Sequence, residues 1–204
     1  MPVIEVFADV ACPFAYVGLR RLLQARDDAG RADLAVRIRA WPLELVNDEP
    51  MSAHHVAEEV ADLRRQVAPD LFTGFDAAQF PPTSLPALDL AASAYAADRA
   101  LGERVSMAVR TALFEEGLDI SRPEVLQAIA FQEGAPPPGP GARDQVEADW
   151  RDGQARDVTG SPHWFVGDED FFCPSLDISR EGGHLRIDVD RAAFDAFLKT
   201  CLEL

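Results

Sequence analysis

The sequence predicts an α/β chain in which a helical domain is inserted between a βαβ half and a ββα half. Three observations carry this. A strand, helix and strand pattern occupies residues 1–50, and helical spacing broken by proline and glycine fills 51–157. Two apolar runs around a polar turn then precede a last helix in 158–204. The chain has 204 residues, 48% hydrophobic and 26% charged, which is a globular composition. At about 100–200 residues per domain, that length fits one large domain or a domain with a substantial insertion.

Val3-Ile4-Glu5-Val6-Phe7-Ala8 is a β-branched and aromatic run, read as a buried strand. After Cys12, Pro13 suits the first turn of a helix, where a missing N–H costs nothing. Ala15, Leu19, Leu22 and Leu23 follow at helical spacing, and Gly30 offers a stop. Residues 34–45 read as a second strand, with Leu34, Val36, Ile38 and Ala40 alternating against Ala35, Arg37 and Arg39. A strand, crossover helix and strand favour a parallel pair.

The middle is punctuated helix. Ser84 precedes one apolar helical stretch, and Val105, Val109, Ala112 and Leu113 form another that ends near Gly117. Ser121-Arg122-Pro123-Glu124 has the form of a capping box. Pro136 to Gly141 is too rich in breakers for helix or strand and reads as a surface connection, before a helix over 142–156. His163-Trp164-Phe165-Val166, a turn over 167–170, and Phe171-Phe172-Cys173 form a hairpin pattern, and Asp190 can cap a final helix through Leu202.

Charge excludes some functions. With 19 basic and 35 acidic side chains the net charge is −16, so neither a nucleic-acid partner nor an anionic membrane is expected. No apolar stretch approaches the ~20 residues that a spanning helix needs. Residues 1–6 carry no basic region followed by an apolar one, so the expected location is cytoplasmic. The three cysteines, Cys12, Cys173 and Cys201, are widely spaced and contain no Cys-x-x-Cys pair, so no disulfide framework or metal site is expected. Cys201 sits at core-facing spacing from Phe194 and Phe197 and reads as buried filler.

Ala8-Asp9-Val10-Ala11-Cys12-Pro13-Phe14-Ala15-Tyr16-Val17-Gly18 resembles the active-site start of the DsbA-like thioredoxin-fold family, in its FrnE-like branch. Trp41-Pro42-Leu43-Glu44-Leu45, Pro81 to Leu88, Phe114 to Ser121 and Val158 to Val166 resemble further segments of that branch in the same order. The resemblance implies a thioredoxin fold with an inserted helical domain and a cis bond at Ser161-Pro162. It also implies a catalytic Cys12, with Pro13, Phe14, Ser161 and Pro162 contacting substrate. The family's second cysteine falls at Ala15, so this is a monothiol version. Related 2-hydroxychromene-2-carboxylate isomerases and kappa-class glutathione transferases carry serine at the first position and bind glutathione. Around Cys173-Pro174-Ser175 this chain lacks the acidic residue that such relatives tend to carry.

A cysteine at a strand-to-helix junction faces unpaired N–H groups and the positive end of the helix dipole, which favours a thiolate. Burial beside Phe14 and Ala15 opposes this, so a moderately lowered pKa is expected. The thiolate attacks a disulfide and forms a mixed disulfide. Ala15 cannot open it, so an external thiol or another cysteine of the chain must. The leading expectation is a monothiol thiol-disulfide oxidoreductase with no tightly bound cofactor. A low-molecular-weight thiol acts transiently, and the substrates are disulfide-containing proteins or small thiols. The alternatives are a thiol-cofactor-dependent isomerase or transferase on the same fold, and a non-catalytic binding protein. His163 is a weaker candidate base, and Cys173 a weaker candidate resolving thiol than a packing residue. The sequence leaves the oligomeric state open.

Overall fold

The computed structural model describes residues 3–174, 176–181, 184–188 and 190–204. Met1 and Pro2, part of the first segment read above, and Ser175, part of the departure from the glutathione-binding relatives, lie outside the described residues.

Strand β1 (Val3–Ala8) leads into helix α1 (Pro13–Asp28), and strand β2 (Ala35–Ala40) returns parallel to β1. Gly30, at φ +65°, lets the chain turn away from α1. The second strand is shorter than the alternation implied. It stops at Ala40, and residues 43–46 form a short helix, α2 (Leu43–Val46). Trp41 N–H still bonds Ala8 O at 3.4 Å, but Pro42 has no N–H and Leu43 N–H turns to the Asp9 carboxylate at 2.7 Å.

Five helices follow: α3 (Ala53–Gln66), α4 (Leu85–Ala97), α5 (Arg99–Phe114), α6 (Pro123–Glu133) and α7 (Ala142–Ala155). The capping box does not form. Arg122 is the N-cap of α6 without a side-chain bond, while Ser121 Oγ donates to Asp119 Oδ1 at 2.6 Å. Pro123 at the first helical position sets the start instead. Strands β3 (His163–Val166) and β4 (Glu169–Phe172) make the expected hairpin, with a tighter turn, since Glu169 and Asp170 already pair with β3. Gly167, at φ +61°, takes the left-handed conformation that a short hairpin turn requires. The hairpin β5 (Asp177–Glu181) and β6 (His184–Asp188) was not expected from the sequence. Helix α8 (Arg191–Leu202) closes the chain, and the Asp190 side chain accepts from Ala193 N–H at 2.8 Å.

The main sheet has the order β2-β1-β3-β4, with β3 antiparallel to β1. One core lies between α1, α8 and this sheet, around Leu19, Leu22, Trp164, Phe197 and Cys201. A larger core joins α1 to the central helices, where Tyr16 stacks on Phe114 at 5.1 Å and meets Phe72 edge-on at 5.6 Å. The outer edge of β2 is closed by side chains of those helices. Val36 N–H donates to Glu103 Oε2 at 3.2 Å, Ile38 N–H to Tyr95 OH at 2.9 Å and Ala40 N–H to Asp149 Oδ2 at 3.2 Å. This satisfies alternate amides that would otherwise invite another strand. Among the described residues, no helix is long and apolar enough to cross a membrane.

Candidate active site

The geometry follows from where β1 ends. Asp9 to Cys12 leave the sheet, and Cys12 becomes the N-cap of α1 with extended backbone (φ −81°, ψ 116°), followed by Pro13. Its sulfur points across to the loop before β3, where the thiol donates to Ser161 O at 3.2 Å. Ser161 is clamped from both sides, because its Oγ accepts from Asp9 N–H at 3.0 Å. The Ser161-Pro162 peptide bond is cis. Gly18 allows α1 to lie close to this loop, since a β-carbon there would touch Trp164 at 3.4 Å and Pro162 at 3.9 Å. Pro13 is buried, and Phe14 packs partly buried between the two cores.

Cys12, Ser161 and Pro162 are thus brought together, with Pro13 and Phe14 directly beside them. His163 is not part of the group. Its Nδ1 accepts from Thr159 N–H at 3.1 Å, which places the proton on Nε2, donating to Asp170 Oδ2 at 2.9 Å. Both ring nitrogens are therefore committed away from the sulfur.

The expected lowering of the thiol pKa is overturned. Cys12 is 3% exposed, and burial pushes the thiol up to about 12. Hydrogen bonds from Ser161 and the Ala15 backbone oppose this, while the charges of Glu59 and Asp9 reinforce it. The helix terminus is present, but water is excluded from it, so the neutral thiol that bonds Ser161 O is the favoured form.

The sequence reading missed the polar group beneath the cysteine. Asp9 is fully buried, and burial raises its pKa. Its Oδ1 accepts from Ala11 N–H at 2.9 Å, and its Oδ2 from Leu43 N–H at 2.7 Å and Ser84 Oγ at 3.1 Å. Arg110, also fully buried, donates to Asp9 O at 3.1 Å and to Ser106 Oγ at 2.6 Å, and burial lowers its pKa to about 10. Glu44 adds a second clamp, accepting from Ser84 N–H and Thr83 Oγ1, both at 2.8 Å. The signal was available in part: Asp9 stands three residues before Cys12, within the quoted motif. Nothing local pointed to Arg110, which lies about a hundred residues away.

A cleft of about 410 Å³ opens beside α3, lined by Leu43, Met51, His55, Val56 and Glu59 among others. Glu59 links it electrostatically to Cys12. Among the described residues no cluster could hold a metal ion.

The sequence pattern of the DsbA-like thioredoxin domain matches residues 3–180. The chain belongs to the DsbA-like thioredoxin-domain family. Solved structures agree on the fold. The cytosolic disulfide reductase DsbM of Pseudomonas aeruginosa superimposes with a TM-score of 0.64 at 18% identity, covering 98% of both chains. A protein of Streptomyces coelicolor described as a probable DsbA oxidoreductase gives 0.66 at 19%, covering 100% of this chain and 92% of its own. A 2-hydroxychromene-2-carboxylate isomerase gives 0.61 at 18%, covering 83% and 88%. No curated protein sequence matches the chain. The family is one of thiol oxidoreductases, and its structural neighbours include an isomerase.

Proposed function

We propose that this DsbA-like protein is a thiol-disulfide oxidoreductase that acts through a single motif cysteine, Cys12. The observation that carries the reading is the 3.2 Å contact between Cys12 Sγ and Ser161 O, which sets the thiol at a helix N-terminus facing the loop before β3. Ala15 stands where a second thiol of the motif would be. Attack by the Cys12 thiolate on R–S–S–R forms Cys12–S–S–R and releases RS⁻, which takes a proton from water. A thiol from outside the motif opens the mixed disulfide, and a low-molecular-weight thiol suffices. Pro13, Phe14, Ser161 and Pro162 contact the substrate, and Ser161 O becomes available to it once Cys12 turns away. No tightly bound cofactor takes part. The substrates are disulfide-bearing proteins or small thiols in the cytoplasm. In support, one similar structure is the P. aeruginosa disulfide reductase with GSH, and that protein is named as cytosolic.

A second reading is favoured by one observation, the burial that holds Cys12 as a thiol with a pKa of about 12. In it the chain binds a ligand at this loop without exchange. Intact-mass analysis of the reduced protein with an excess of 2-hydroxyethyl disulfide separates the two. The oxidoreductase reading expects one mercaptoethanol adduct, absent in Cys12→Ser. No adduct, with tight binding of a reduced small thiol, moves the chain to the isomerase or transferase type; neither result leaves the binding protein.

A further inference from the structure

The second cysteine of the region bonds the same loop as the first. Cys12 Sγ bonds Ser161 O at 3.2 Å, and Cys173 N–H bonds the next carbonyl, Pro162 O, at 3.1 Å. The two residues therefore flank one dipeptide, and Cys173 is buried at 6% exposure. Its backbone is at φ +43°, a region where a β-carbon is strained and glycine is the relaxed choice. The side chain packs into the larger core, and its strained backbone asks for a further reason to keep it. A sulfur used in chemistry supplies one.

The surroundings are polarised. Arg21 donates through Nη2 to Val67 O at 3.1 Å, while its buried Nη1 finds no acceptor among the described residues. Burial pushes Cys173 up to about 12, and a charge on Cys12 would add to that, but the Arg21 guanidinium pulls it down. Cys12 has carboxylates, Glu59 and Asp9, in the corresponding position. Arg21 thus supplies the cation that favours a Cys173 thiolate, while the cation acting on Cys12, Arg110, is shared with Asp9.

We propose that Cys173 is the resolving thiol of this site, converting a Cys12 mixed disulfide into an internal Cys12–Cys173 disulfide. The inference rests on the reading above that Cys12 forms such a mixed disulfide. In the step, Cys173 loses its proton, and its sulfur attacks Cys12 Sγ. The Cys12–S–S–R bond breaks, the Cys12–Cys173 bond forms, and RS⁻ leaves and takes up the proton. Over the two steps one R–S–S–R is reduced to two RSH, and the two protein thiols are oxidised. The external thiol then reduces the internal bond and closes the cycle. The bond requires the two Cα atoms to lie about 4.4–6.8 Å apart.

The test follows the intact mass of the reduced full chain after 2-hydroxyethyl disulfide is added, with acid-quenched samples. The expected wild-type course is a transient mercaptoethanol adduct, then a species two hydrogens lighter whose peptide map joins Cys12 to Cys173. In Cys173→Ala the adduct persists at least tenfold longer, and in Arg21→Gln it decays several-fold more slowly than in wild type. Cys201→Ser, in the core between α1, α8 and the sheet that also holds Cys12, behaves as wild type. The wild-type peptide map tests the proposal without any substitution. A wild-type adduct as long-lived as that of Cys173→Ala, or an internal bond to Cys201, overturns the proposal and leaves the Cys12 reading standing. Failure of any Cys12 adduct to form, in wild type and Cys173→Ala alike, overturns both.

Discussion

Cys12 holds the position of the proposed nucleophile, and its environment is that of a buried thiol. Its folded pKa of about 12 lies above the ~8.5 of a free cysteine. Alkylation by iodoacetamide should therefore accelerate with pH well beyond 8.5, and a plateau at neutral pH would show that the site opens in solution. The same shift has a thermodynamic sign. The unfolded chain loses the thiol proton first, so the contribution is complete below about pH 8.5 and disappears as pH rises toward 12. Stability to urea should fall between pH 9 and 11 by about 1.4 kcal/mol per pH unit for this thiol, and Cys12→Ser should remove that share of the slope. Asp9 acts on the same atoms from below. Asp9→Ala strands the Ala11 and Leu43 amides, leaves the Ser84 hydroxyl to Glu44 Oε1 at 3.1 Å, and takes the carboxylate away from buried Arg110. A loss of about 3 kcal/mol in equilibrium unfolding is expected, with a smaller loss for Asp9→Asn, which keeps one acceptor.

At the level of elements, readability followed the range of the forces involved. Alternation along residues 35–40, proline in the first turn of α1 and the aspartate cap of α8 are local signals, and each marks an element that the structure contains. The end of β2 was misread because it depends on a remote carboxylate that takes the Leu43 amide. The β5–β6 hairpin was missed because the strand pattern there is weak. Its contact with α3, through Ile187 N–H to Gln66 Oε1 at 2.9 Å, spans more than a hundred residues. Of the site, Cys12, Pro13, Phe14, Ser161 and Pro162 were readable from motifs, whereas Arg110 and Ser84 reach it only through the fold. The closure of the β2 edge shows how far the helices support the sheet. Tyr95, partly buried, accepts through its OH from Ile38 N–H and donates to Val36 O at 3.2 Å. Tyr95→Phe leaves that amide without an acceptor and should cost about 1–2 kcal/mol, read as a lower urea midpoint with unchanged slope. An unchanged midpoint would mean that water replaces the hydroxyl.

Over the whole molecule, the charge of −16 sets a field that any disulfide approaching the proposed site must cross. Near the thiol Glu59 and Asp9 act on Cys12 and Glu49 and Glu59 line the adjoining cleft, with the buried Arg110 guanidinium as an opposing charge. An anionic disulfide is repelled on approach, and the thiolate that must form beside those carboxylates is disfavoured. A cationic disulfide is attracted, and once seated it places positive charge beside Cys12 and eases loss of the thiol proton. Cystamine, a dication, should therefore react with Cys12 faster than the dianion 3,3′-dithiodipropionate, by roughly tenfold or more at low ionic strength. Screening separates the long-range part from the local one. The Debye length is about 10 Å at 0.1 M salt and about 3 Å at 1 M, so the ratio of the two adduct-formation rates should shrink steeply over that range. Glu59→Gln, which removes one of the charges acting on Cys12, should lower the ratio that remains at high salt. Equal rates for the two probes, or a ratio indifferent to salt, would show that contacts within the loop choose the substrate and that the field does not.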